Sequence, residues 1–351
     1  LLALWEAAGP HALNPNNLET KGLTSLNGVL KSNEAFSAHP KIDLNSKLSS
    51  ELVVTFGVQA GPKSTIRLME FSNAGDNAGE LLFDRKDTFN GFSFLHDFAI
   101  TTNWAIFLQN AIDFNPIPFV IGQKGAAQCL KSNPNKKSKF IIIPRESGLY
   151  KGQKPIIIDA PKGFVFHHVN AYEDNSKIIL ESIFYDDFPS VGPDENFREI
   201  DFAKYPEGNL KQSIIDLKNQ TSEVVTLSKQ CCEFAMVNPK RLGLKSIFSW
   251  MACTERKEGN APLQAIKKYN SANNEEIFWS AGERSFVSEP IMIPSKNPSS
   301  EDDGFVFIVV WNGERRGSDL VILDAHNLRE IGLYELPISI PHGLHGSWVN
   351  S

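Results

Sequence analysis

Long apolar runs are missing from this sequence: no window approaches the roughly 18 to 20 uninterrupted apolar residues that a spanning helix needs. That excludes a membrane-crossing helix. Cysteine is scarce as well. Cys129, Cys231, Cys232 and Cys253 are too few and too clustered to staple 351 residues, and none forms a CxxC beside a partner pair. A disulfide scaffold, a zinc ribbon and a dithiol redox site are therefore excluded, and reduced thiols are expected. No basic block exists either: Lys+Arg 35 against Asp+Glu 41 gives a net charge of −6, which argues against a nucleic-acid partner. Amphipathic helical patterning is thin, with Asn209–Lys218 the best candidate, and no Ser-His-Asp set is visible. The sequence also lacks an initiator Met. It opens Leu1-Leu2-Ala3-Leu4-Trp5-Glu6, as if inside a folded element, and so says nothing about targeting.

What is present is β-structure. Hydrophobic residues at 41% and charged residues at 22% match ordinary globular chains. Strand-length runs rich in Val, Ile and Phe recur at 51–56, 139–143, 154–159, 177–181, 304–311 and 320–323. Leu13-Asn-Pro-Asn-Asn-Leu18 and Leu323-Asp-Ala-His-Asn-Leu328 share the form apolar, Asx, three residues, Leu, and predict hairpin turns. Polar surface loops are expected at Ser190–Glu207 and Ser295–Asp303. An all-β chain of this length must close a barrel, stack sheets or repeat as propeller blades. The propeller is preferred because histidines are spread along the chain, each beside a strand-like run, as when several blades each send one residue to a common axis.

Of the eight histidines, four lie in informative contexts. Ala38-His39-Pro40-Lys41-Ile42-Asp43, Phe94-Leu95-His96-Asp97-Phe98, Phe166-His167-His168-Val169-Asn170-Ala171-Tyr172-Glu173 and Gly343-Leu344-His345-Gly346 resemble, in order, the four iron-ligand segments of the carotenoid cleavage oxygenase family. The likeness is to its apocarotenoid branch, through Pro10–Pro15, the stretch 92–145 and Glu289–Pro294. It implies a single seven-bladed β-propeller over residues 1–351, lacking the first blade and part of the second. It implies Fe(2+) on His39, His96, His167 and His345, leaving His168 and His342 as neighbours, and His11 and His326 as surface residues of the turns. One departure is Leu44, where the family follows Asp43 with Pro; it touches a turn and no ligand. The chemistry agrees with the resemblance: imidazole suits iron, and four neutral ligands leave open positions on a metal that prefers six.

The same resemblance implies that Glu6, Glu233 and Glu289 orient three of the histidines, with His39 the one without a glutamate. Metal-bound imidazoles usually donate their second N–H to such an acceptor. Trp5, Phe94, Phe166 and Tyr185 are candidates for the wall of an apolar tunnel, core packing being the alternative for each. Phe114, Ile117, Phe119, Val120 and Ile121 form an apolar, Pro-broken stretch that suits either a membrane-facing entrance or a buried loop. The implied function is O2-dependent cleavage of a conjugated C=C bond of an apolar polyene into two aldehydes, by a peripheral membrane enzyme at a plastid, thylakoid or cytoplasmic membrane surface. Two alternatives stay open: cleavage of a stilbene-type olefin by the same iron centre, and a non-catalytic propeller that binds an apolar ligand or a partner.

Overall fold

Strands form where β-branched and aromatic residues alternate with polar ones, and they end where Asx and Gly residues allow the backbone to reverse. The computed structural model describes residues 1–6, 8–32, 34–46, 51–189, 199–341 and 343–349. Both predicted hairpin turns take one geometry. Leu18 N–H returns to the Asn14 carbonyl at 2.8 Å and Leu328 N–H to the Asp324 carbonyl at 2.8 Å. Asn14 and Asp324 also accept through their side chains from the backbone two residues on, at 3.0 and 2.8 Å. Each Leu sits in the left-handed region, at φ 60° and 57°.

Among the described residues, six antiparallel sheets of three or more strands follow one another in chain order. Sheet one is small, with strands Leu2–Ala3, His11–Leu13 and Thr20–Leu23. Sheet two comprises Lys41–Asp43, Leu52–Gln59, Lys63–Ser72 and Leu81–Asn90. Sheet three comprises Ala99–Ile100, Trp104–Gln109, Ser138–Pro144 and Ile156–Ala160. Sheet four comprises Phe164–Asp174, Lys177–Tyr185, Asn209–Asp216 and Thr221–Ser228. Sheet five comprises Cys232–Val237, Phe248–Cys253, Ala265–Asn270 and Glu275–Ser280. In sheet six, Ser285–Val287 and Ile291–Pro294 both pair with Gly304–Asn312, which continues to Gly317–Asp324 and Glu330–Glu335. The fold is an all-β propeller. It has six such sheets where the resemblance implied seven blades.

The core lies between sheets. Leu52, Val54 and Phe56 of sheet two pack on Ile100, Phe107 and Ile141 of sheet three. The opposite face of sheet three packs through Ile106, Phe140 and Ile142 on Ile178 and Leu180 of sheet four. The same relation joins sheets four and five, and five and six. Sheets three, four and five are thus packed on both faces, which explains why their inner strands read as continuous apolar runs.

Two sequence expectations change. Asn209–Lys218 is not a helix: Asn209–Asp216 is an inner strand, paired along both edges. Its apolar residues Leu210, Ile214 and Ile215 imitate a helical stripe, but ladder bonds on both sides fix the extended form. Asp302, in the loop expected on the surface, is 2% exposed and forms an ion pair with Lys268 at 2.5 Å. Of the loop at Ser190–Glu207, residues 190–198 lie outside the described residues, as does His342. All four cysteines are free and buried. Burial pushes the thiols up to about 11 for Cys231 and about 12 for Cys232 and Cys253, which makes them unreactive.

Candidate metal centre

The chemistry-bearing residues, His345 apart, lie at or near the first strand of successive sheets. His39 precedes the first strand of sheet two by two residues, and His96 precedes that of sheet three by three. His167 lies within the first strand of sheet four, and Glu233 within that of sheet five. Glu289 joins the two short strands of sheet six, and His345 follows the last strand. Two β-bulges aim the side chains. The register shifts between Val165 and His168, and again between Glu233 and Met236, so His167 sits on an unpaired residue that leaves the pleat, while Glu233, still paired with Ala252, is the last residue before the unpaired Phe234 and Ala235.

The four imidazoles converge. One ring nitrogen from each of His39, His96, His167 and His345 lies within 4.8 Å of the others. His39 and His96 turn their Nε2 atoms to each other at 3.1 Å. The ring of His39 is 4.6 Å from those of His96 and His345 and 5.1 Å from that of His167. The opposite nitrogens meet carboxylates: His96 Nδ1 is 3.3 Å from Glu6, His167 Nδ1 is 2.6 Å from Glu233, and His345 Nδ1 is 3.1 Å from Glu289. An ionised carboxylate can only accept, so each Nδ1 carries the hydrogen and each Nε2 keeps its lone pair.

This set fits a divalent metal ion. Nε2 of His167 is buried without a hydrogen-bond partner, which costs about 1–3 kcal/mol unless something accepts its lone pair. Burial drives the pKa of His39 down to about 2, so its ring is neutral and able to ligate at any ordinary pH. Burial also lowers that of His167, but the charge and hydrogen bond of Glu233 outweigh it, and the net direction is upward. The effect that strengthens the lone pair toward a proton strengthens it toward a cation. Glu233 is itself buried, which favours its neutral form. The His167 ring and the N–H of Phe234 at 2.7 Å reverse this and hold its pKa below the ordinary value. Glu6 is lowered chiefly by its hydrogen bond to His96.

The remaining sequence candidates divide. The ring of Phe166 is 5.4 Å from His96 and 6.4 Å from His167, within an aromatic group that includes Phe164 and Phe188. Phe94 stacks 6.1 Å from Phe164 and, with Glu6, Phe92 and Leu95, lines a cavity of about 610 Å³. Tyr185 is buried, and its hydroxyl donates to Glu233 Oε1 at 2.9 Å, so it supports a carboxylate as well as packing 5.9 Å from Phe166. Trp5 stands 62% exposed. A short helix, α1 (Pro116–Val120), leaves Ile117, Phe119, Val120 and the following Ile121 exposed, while Phe114 stacks on Phe92 at 5.3 Å. The stretch is therefore a surface feature and not a buried loop. Of the other histidines, His11 is exposed and His326 mostly so, although its Nδ1 meets Asp302 at 2.9 Å. His168 is buried on Ser182, with burial lowering its pKa to about 4.

Phe234 was not anticipated. Its ring is 5.5 Å from both His167 and His345, and its backbone is left-handed at φ 55°, a costly state for a bulky residue. Its place directly after Glu233 was the only hint in the sequence. A second cavity, of about 190 Å³, adjoins His345 and Glu289 and is walled by Phe307, Val309 and Trp311.

A propeller that gathers four imidazoles, three of them backed by glutamates, presents a cluster able to hold a divalent metal ion. Residues 1–350 match the family model described as retinal pigment epithelial membrane protein, and the chain belongs to that family. It is 39% identical to the apocarotenoid-15,15'-oxygenase of Synechocystis sp. over 355 residues, covering 100% of this chain and 71% of that protein. It is 29% identical to lignostilbene-alpha,beta-dioxygenase isozyme III of Sphingomonas paucimobilis, covering 100% of this chain and 72% of that one. It also superimposes on the crystal structure of the cobalt-substituted Synechocystis enzyme with a TM-score of 0.95 and 39% identity, covering 100% of this chain and 72% of that one.

Proposed function

We propose that this chain is a non-haem iron(II) oxygenase that uses O2 to cleave a conjugated C=C bond of an apocarotenoid into two carbonyl fragments. The observation that carries the reading is the convergence of His39, His96, His167 and His345, with Glu6, Glu233 and Glu289 on three of their outer nitrogens. When bound, iron(II) supplies the activation of O2 that protein side chains cannot provide. The chain contributes position and dryness. The three glutamates keep Nδ1 protonated and Nε2 directed inward, and they place negative charge one bond outside a wholly neutral ligand set. Phe166 and Phe234 flank the imidazoles with apolar surface, and Phe94 extends it along the cavity beside Glu6. Such walls suit a rigid polyene and exclude water.

A polyene of this kind dissolves in membranes. Ile117, Phe119, Val120 and Ile121, exposed together on and after α1, give the enzyme a means of resting on a bilayer reversibly. The greater likeness to the Synechocystis enzyme than to the lignostilbene enzyme favours an apocarotenoid over a stilbene. The test is product analysis by mass after incubating iron-loaded protein with an apocarotenal and, separately, with a hydroxystilbene. Two carbonyl fragments from the apocarotenal are expected. Cleavage of the stilbene alone would transfer the substrate assignment. Folded protein that holds less than a small fraction of an equivalent of iron would overturn the enzymatic reading.

A further inference from the structure

His39 stands apart from the other three imidazoles, because none of the three glutamates meets its ring. What fixes it is visible in the strand that begins two residues later. In an extended backbone, residues two apart share a face. Lys41 and Asp43 share one face of that strand, and Ile42 between them is 48% exposed. Asp43 is anchored by Arg145 at 2.8 Å. Lys41 reaches Asp97, with Nζ 2.8 Å from Oδ1, and these side chains are only 16% and 2% exposed.

Asp97 immediately follows His96. Its second oxygen, Oδ2, accepts the backbone N–H of His168 at 2.9 Å, and His168 immediately follows His167. One buried carboxylate therefore ties together three segments from three different sheets, each within two residues of a ring in the cluster.

Stability alone is a poor reason for such a pair. Desolvating two charges offsets most of their attraction, and an apolar pair of equal volume often serves as well; the best-attested use of a buried ion pair is to specify one arrangement among several. Building on the metal-centre reading above, we infer that Lys41 and Asp97 are positioning residues. Their ion pair sets the place of His39 relative to His96 and His167.

The test uses the whole chain loaded with cobalt(II), whose visible absorption reports ligand arrangement independently of turnover. Wild-type binding comes first, since a protein that takes up no cobalt or iron refutes the metal centre itself. Asp97→Asn keeps the size and the acceptor for His168 N–H while removing the charge. Lys41→Met removes the ammonium group, and Lys41→Arg restores a cation. The expected result is a 10- to 100-fold weaker cobalt affinity and an altered spectrum for Asp97→Asn and Lys41→Met. Lys41→Arg should lie closer to wild type, and kcat should fall with little change in KM for the olefin. Folded variants that keep wild-type affinity and spectrum while losing only thermal stability would overturn the assignment. So would failure of both Asp97→Asn and Lys41→Met to fold, which would make the pair a requirement of the fold itself.

Discussion

Tyr185 and Glu233 are joined by a buried hydrogen bond of 2.9 Å from the phenol to Oε1, which leaves Oε2 to the imidazole of His167. The phenol cannot ionise against that carboxylate: burial, then the charge of Glu233, hold its pKa well above the ordinary value. It acts purely as a donor. Tyr185→Phe should remove one hydrogen bond to a buried charge, at a cost of about 1.5–3 kcal/mol. Urea unfolding of the apo-protein checks this, and an unchanged midpoint would remove Tyr185 from the support of Glu233.

Glu233 itself should matter more to the metal. Glu233→Gln replaces an acceptor-only group with an amide that can present its NH2 to Nδ1 and select the wrong tautomer of His167. Metal affinity should fall about 10- to 100-fold, measured by competition with a chelator of known strength.

A pH dependence arises far from the cluster. Glu181 is buried; burial raises its pKa, a weak hydrogen bond from Gln212 lowers it, and the charge of Glu301 raises it further, to about 7. The folded state thus keeps a proton that the unfolded chain has released above its ordinary value of 4.5. Protons bound in excess by the folded form make stability fall as pH rises through this window. The contribution is complete below the unfolded value and lost by about pH 7, amounting to about 3 kcal/mol. Glu181→Gln should abolish that part of the slope, so unfolding curves at pH 5 and pH 7.5 should differ less for the variant than for wild type. Parallel slopes would contradict the assignment.

The apolar tip at α1 can be tested separately from folding. Val120 is 77% exposed and Ile117 67%, so Ile117→Glu with Val120→Glu should change stability by no more than about 0.5 kcal/mol each. Co-sedimentation with lipid vesicles should drop markedly. Unchanged sedimentation would dissociate this surface from the membrane.

Strand content and turns were legible because they are local. The form apolar, Asx, three residues, Leu predicted two turns that share a conformation down to the left-handed leucine. The cluster histidines were legible through the residues around them. What escaped was set by distant partners. Asn209–Asp216 reads as a helix until its neighbours on both edges are known. Tyr185 reads as a tunnel aromatic, since its bond to Glu233 spans 48 positions. Phe234 owes its placement to a bulge, and the inserted residue leaves no periodic trace in the sequence.

His345 comes from the segment after the last strand, whereas the other three imidazoles are preset by packed sheets. Glu289 holds that segment at Nδ1 of His345 and at Gly346 N–H, 2.9 Å away, and Trp348 rests on Phe307. An ion on His345 would therefore act as a crosslink, a latch that closes this segment onto the propeller. Chelation should expose it to limited proteolysis and to rapid amide exchange between Gly343 and Val349 well before the sheets themselves loosen. The order in which the molecule comes apart would then report whether the latch is shut.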